Sequence, residues 1–153
     1  MTHKTALALD VGESRIGLAR GDTGSTFVFG RGYLKRRKQS EDIAQLQKLM
    51  AEEGADFVVV GLPRRSDGGE SAQTAKVRSF AAALRQAGID VVFEDERYTT
   101  YLATQNVMQS GLPKQKRQHK GRIDEAAAVL ILETYLAKLA QTEQKPSPGP
   151  DAD

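Results

Sequence analysis

Apolar residues in the first third of the chain fall in three short runs, 5–11, 15–20 and 26–34, parted by the Gly-containing turns VGES and GDTGS. Runs of that length bounded by such turns predict three strands in an antiparallel meander. After the polar stretch KRRKQS, Ile43, Leu46 and Met50 recur at helical spacing, with Ser40 as the expected N-cap, Glu41 and Asp42 in the first turn and Gly54 as the stop. FVVVGLP at 57–63 is a continuous apolar run, the signature of a strand buried on both faces of a parallel sheet.

The alternation then continues. A helix is predicted at about 70–87, with Val77, Phe80, Ala81 and Leu84 on one face and Gly88 at its end. IDVVFEDER, 89–97, reads as a second buried strand with an acidic tip, followed by a helix at about 100–109 behind Thr99 or Thr100. A basic loop and a last helix at about 122–140 complete the pattern, and the tail from 141 is Pro-rich and reads as disordered.

The order β-β-β-α-β-α-β-α-α makes an α/β protein. It predicts a mixed five-stranded sheet whose first three strands form the antiparallel meander, flanked by helices. That is the order of the ribonuclease H-like fold. One domain over 1–140 and a disordered tail over 141–153 accommodate the 153 residues.

Composition narrows the chemistry. There is no cysteine, so thiolate nucleophiles, disulfides and thiolate zinc sites are excluded, and two histidines are too few for a histidine-rich metal site. No apolar run approaches the ~20 residues that span a bilayer, so no membrane partner is expected. The opening MTHKTALALDVG meets Asp10 too soon for a signal peptide, and a cytoplasmic location is expected. The net charge is only +2, but KRRK (35–38) and KQKRQHKGR (114–122) concentrate cations with no acid among them. Two such clusters favour a polyanionic partner over ordinary solvated loops.

Why, then, does the apolar strand Ala6–Leu9 run into Asp10 and turn through Gly12? A turn-opening aspartate is the simple account. Two further acids stand at comparable places: Glu96 at the tip of the last strand, and Asp124 in the first turn of the final helix. Positions i+3, i+4, i+7 and i+11 from Asp124 are Ala127, Ala128, Ile131 and Tyr135, so this carboxylate heads an apolar face. Asp10 shares a strand face with Ala6 and Ala8. Small residues on both surfaces allow a close approach that would bring Asp10 and Asp124 together. Glu125 points elsewhere and reads as a surface acid. Crowded carboxylates repel unless a cation sits between them, and hard divalent ions take oxygen ligands. Two such ions about 4 Å apart can drive phosphodiester cleavage.

Four blocks, ALALDVGESRIGLARGD, VVVGLPRRSDGGESAQTAKVRSFAAAL, FEDERYTT and RIDEAAAVLILETYL, resemble in order the signature blocks of the YqgF/RuvX family over residues 5 to 137. The family is similar in fold to the Holliday-junction resolvase RuvC. The resemblance implies a nuclease dependent on Mg²⁺ or Mn²⁺, with a two-ion site. Its substrate would be a Holliday junction or the 5′ end of pre-16S ribosomal RNA. It places the catalytic and metal-binding acids at Asp10, Glu96 and Asp124, with Glu125 as the stand-in for the further acid of RuvC-type enzymes. The sequence leaves open whether the chain pairs with a second copy.

Arg15 follows the Asp10 turn and Arg97 follows Glu96, so each is placed to reach a phosphate near the acids; for Arg97 an ion pair orienting one acid is the alternative. Lys114, Lys116, Arg117, Lys120 and Arg122 are expected to contact nucleic-acid backbone from a flexible loop at 111–121. The rival reading is a non-catalytic nucleic-acid-binding protein of the same fold. An ATP-binding D-x-G turn also fits the opening residues, but its second domain does not fit in 153 residues.

Overall fold

The computed structural model describes residues 3–65, 67–95 and 116–144, with the side chains of 116–119 and 143–144 outside that description. The strands are β1 (Thr5–Val11), β2 (Arg15–Asp22), β3 (Val28–Lys35), β4 (Phe57–Leu62) and β5 (Val91–Asp95). The helices are α1 (Gln39–Glu53), α2 (Ala72–Gln86) and α3 (Lys116–Gln144). The five strands form one sheet in the order β3-β2-β1-β4-β5. β1–β2 and β2–β3 pair antiparallel, while β1–β4 and β4–β5 pair parallel. The expected mixed sheet with its meander is present.

Alternation along β1 and β4 divides the core in two. Leu7, Leu9, Val11, Val58, Val60 and Leu62 face α1 and α2, where Leu46, Val77, Phe80 and Leu84 close over them. Ala6, Ala8, Ala19 and Val59 face α3, meeting Ala128, Ile131, Leu132 and Leu136. The α3 side is lined with small residues, so that helix lies close on the sheet.

Three boundaries depart from the sequence reading. Helix α1 starts behind Lys38 rather than Ser40. No side chain caps this helix start, and the carboxylate of buried Asp42 instead accepts the Arg37 N–H at 2.8 Å, pinning the segment that leads into the helix. Arg36 of the KRRK cluster is also drawn inward. It donates to Asp42 (3.2 Å) and to the Gly12 carbonyl (2.9 Å), and its guanidinium lies 4.8 Å from the centre of the Phe80 ring.

The last helix begins at Lys116, so 116–121 are helical where a loop was expected, and it runs on to Gln144, past the expected end at about 140. Gly121, the sixth residue of the helix, is buried against the Tyr33 ring, which holds this end of α3 on β3. The expected helix at 100–109 and the tail beyond 144 lie outside the described residues.

Candidate functional site

Asp10 lies one residue from the end of β1, and its register partner on β2 is Gly17. By alternation its side chain is on the face of Ala6 and Ala8, the face covered by α3. Gly17 tolerates no side chain, because a Cβ there would overlap the backbone carbonyl of Asp124. The α3 backbone at Asp124 therefore rests on the strand residue directly beside Asp10. The backbone of Asp124 is thus seated one strand from Asp10, and the residue that permits it is a glycine on a third element.

The strand end that carries Asp10 is tied down on several sides. The Gly12 N–H donates to the Arg15 carbonyl (2.9 Å), Arg36 reaches the Gly12 carbonyl, and Gln73 of α2 donates to the Val11 carbonyl (3.3 Å). The turn is thus braced from α2 and from the segment leading into α1, which suits a position that must hold a charged group in place.

Arg15, expected to reach substrate, donates its Nε–H to Oδ2 of Asp124 at 2.7 Å. Burial nevertheless dominates at Asp124: desolvation raises its pKa above the ordinary carboxylate value, and the Arg15 hydrogen bond and charge pull it back only in part. A half-buried carboxylate of this kind favours a nearby cation. The oxygen-only donor set of Asp10 and Asp124 fits Mg²⁺ or Mn²⁺, and the guanidinium already beside Asp124 shows that positive charge is accommodated there. Among the described residues no group of three or more His, Cys, Asp or Glu is gathered as a metal site.

Glu96, Arg97 and Lys114 lie outside the described residues. Strand β5 ends at Asp95, register partner of Leu62, at the same sheet edge as Asp10. Lys116 and Arg117 belong to the first turn of α3, and Lys120 and Arg122 are exposed on it.

Glu125 differs from its reading as a surface acid. Its Oε2 accepts the Gly32 N–H of β3 at 2.6 Å, and its carboxylate packs so closely on Gly30 that a Cβ there would collide with it. Glu125 thus anchors α3 to the edge strand, two strands from Asp10. The bond exists because β3 carries one extra residue between Gly30 and Tyr33, where Gly32 adopts φ 73° and turns its N–H out of the ladder.

Two further residues were missed in the sequence. Glu94 of β5 is buried and held by Lys138 Nζ at 2.6 Å. Tyr33 is the β3 partner of Gly17, so Asp10, Gly17 and Tyr33 form one row across the sheet under the start of α3. The GRGY pattern was the available signal for Tyr33, since glycines beside an aromatic in a strand mark close backbone approach.

Comparison with known proteins follows the same lines. The family model described as "RuvX: Holliday junction resolvase" matches residues 4–138. A Thermus thermophilus protein named as a candidate pre-16S rRNA nuclease is 49% identical over 131 residues, covering 86% of this chain and 96% of that protein. A Deinococcus radiodurans protein named Ribonuclease YqgF is 38% identical over 134 residues, covering 88% of each. Among solved structures, T. thermophilus RuvC in complex with Holliday junction substrate superposes with a TM-score of 0.53 at 14% identity, covering 91% of this chain and 97% of that one. The α/β fold is therefore the RuvC-like, ribonuclease H-like one.

Proposed function

We propose, for a chain that belongs to the RuvX family of Holliday junction resolvases, that it is a metal-dependent nuclease acting on structured nucleic acid. The 5′ precursor of 16S ribosomal RNA is the substrate that the name of the T. thermophilus relative suggests. The observation that carries the reading is the seating of Asp124 on Gly17, beside Asp10.

Asp10 and Asp124, with Glu96 from the segment after β5, are the residues that would hold Mg²⁺ or Mn²⁺. Once bound, such ions supply Lewis acidity toward a phosphodiester and the attacking water. The chain's own residues do the rest. The braced β1–β2 turn keeps Asp10 from relaxing away from like charge. Arg15 neutralises Asp124 and stands within reach of a phosphate brought to the acids. Cations at the start of α3, Lys116, Arg117, Lys120 and Arg122, with Lys114 before them and Arg97 after Glu96, attract and align the backbone without reading sequence.

The test is cleavage of 5′-extended 16S precursor RNA and of four-way DNA junctions, side by side, in Mg²⁺ and in Mn²⁺. Asp10→Asn is expected to abolish cleavage while leaving binding in place. If neither substrate is cut and both are bound, the chain is a binding protein and the nuclease assignment fails.

A further inference from the structure

The three large hydrophobic side chains that stand exposed among the described residues, Phe27 (74%), Phe29 (51%) and Tyr33 (42%), all belong to the edge strand β3 or the residue before it. They do not share a face. Phe29 pairs with Arg20, on the α1 side of the sheet, and lies under the Arg31 guanidinium at 5.9 Å. The extra residue at Gly32 reverses the alternation, so Tyr33 emerges on the α3 side, with one edge of its ring on Gly121. Tyr33 is thereby brought into the row of Gly17 and Asp10. Two strand spacings, ~10 Å, separate its backbone from that of Asp10.

The Tyr33 ring packs on Gly121 along one edge and stays open to solvent on its other side. Its neighbours are cationic. Lys120 and Arg122 flank Gly121 on α3, and Lys35 and Arg37 follow Tyr33 along the chain, all four exposed. Arg122 also borders a groove of about 480 Å³ between β3 and α3, walled by Gly30, Ala126, Val129 and Leu130 and by Glu125, whose carboxylate is engaged by the Gly32 N–H. Ring faces beside exposed cations match the chemistry of single-stranded nucleic acid, whose bases stack while its phosphates are neutralised. A second copy docking on this edge would bring the same cations against their own equivalents, which disfavours twofold pairing.

We propose that Tyr33 is a stacking platform for an unpaired base a few nucleotides from the bond cleaved at the Asp10–Asp124 site, with Lys120 and Arg122 holding the phosphates on either side. This rests on the nuclease reading and deepens it: the substrate carries a single-stranded flank, and Tyr33 positions it. At the ~3.4 Å rise of stacked nucleotides the platform lies about three nucleotides from Asp10, and fewer where the strand is stretched.

The experiment uses the full chain, in chelator so that nothing is cleaved, with single-stranded RNA and DNA oligonucleotides carrying 2-aminopurine at each position in turn. The wild-type protein should quench one position, Tyr33→Phe should preserve that quenching, and Tyr33→Ala should abolish it. Affinity should fall about 5- to 150-fold in Tyr33→Ala, the range for one lost base–aromatic stack. An abasic nucleotide at the same position should erase the difference between wild type and Tyr33→Ala. Phe29→Ala, on the opposite face, should bind as wild type does. Equal binding by wild type and Tyr33→Ala overturns the platform and leaves the nuclease reading standing. Failure of the wild type to bind any single-stranded oligonucleotide also overturns the platform, while the nuclease reading stands or falls on cleavage of the structured substrates. A free-protein dimer that Tyr33→Ala dissociates assigns the face to self-association and also overturns the platform.

Discussion

Arg15 of β2 and Asp124 of α3 form an ion pair at 2.7 Å, tying the helix that carries one acidic residue to the strand beside the other. Both side chains are largely sheltered, yet the pair does not hold Asp124 at the ordinary carboxylate pKa of 3.8, because desolvation outweighs the guanidinium. The folded state therefore binds the Asp124 proton more tightly than the unfolded chain does. Ionisation costs stability as pH rises from about the ordinary value through the raised one, and the cost is complete above it.

In chelator at neutral pH, Asp124→Asn should consequently melt no lower than wild type and is expected to melt higher. The advantage should vanish as pH falls below the ordinary value of 3.8, where both side chains are neutral. Adding Mn²⁺ should stabilise the wild type and leave the variant unchanged. Thermal melts across pH, with and without the ion, check all three; a large loss of stability in Asp124→Asn at neutral pH would mean that the ion pair with Arg15 outweighs the burial of the charge.

Gly17→Ala should act through geometry alone. The added methyl meets helix backbone at Asp124, which cannot rotate aside as a side chain can. Overpacking of this kind costs about 1–3 kcal/mol or more. Gly21→Ala is the comparison, since its methyl would meet side-chain carbons of Leu132 and Leu136 at 3.1 Å and the Phe27 carbonyl oxygen at 3.2 Å, a far milder approach than the overlap at Gly17. Denaturant melts should rank Gly17→Ala well below Gly21→Ala, and cleavage should fall further than stability because Asp124 is displaced from Asp10.

Neutralising Lys120 or Arg122 should weaken nucleic-acid binding alike for all sequences. Each true phosphate contact removed should lower the slope of log K against log salt by about 0.7 to 0.9. Titrations at several salt concentrations read this directly. Lys35→Ala and Arg37→Ala test whether the same backbone continues along β3, and an unchanged slope would return those residues to solvent.

The local patterns of this chain carried most of its architecture. Alternating and continuous apolar runs, Gly turns and helical spacing predicted the meander, the parallel strands and the helices, because burial on one face or two leaves a period in the sequence. Asp10 and Asp124 were legible for the same reason, as charges placed at the ends of apolar faces lined by Ala6, Ala8, Ala127 and Ala128. What tertiary structure alone decided are contacts between elements far apart in the chain, which leave no period. Arg15 reaches Asp124 across 109 residues, and Glu125 leaves the surface to bind Gly32 across 93. Arg36 folds inward onto Asp42 and Phe80, and Gly121 of α3 rests on the Tyr33 ring. One inserted residue in β3 turns Tyr33 into the row of Asp10. A side chain's composition says what it can pair with; only the packed sheet and helix determine which partner lies within reach.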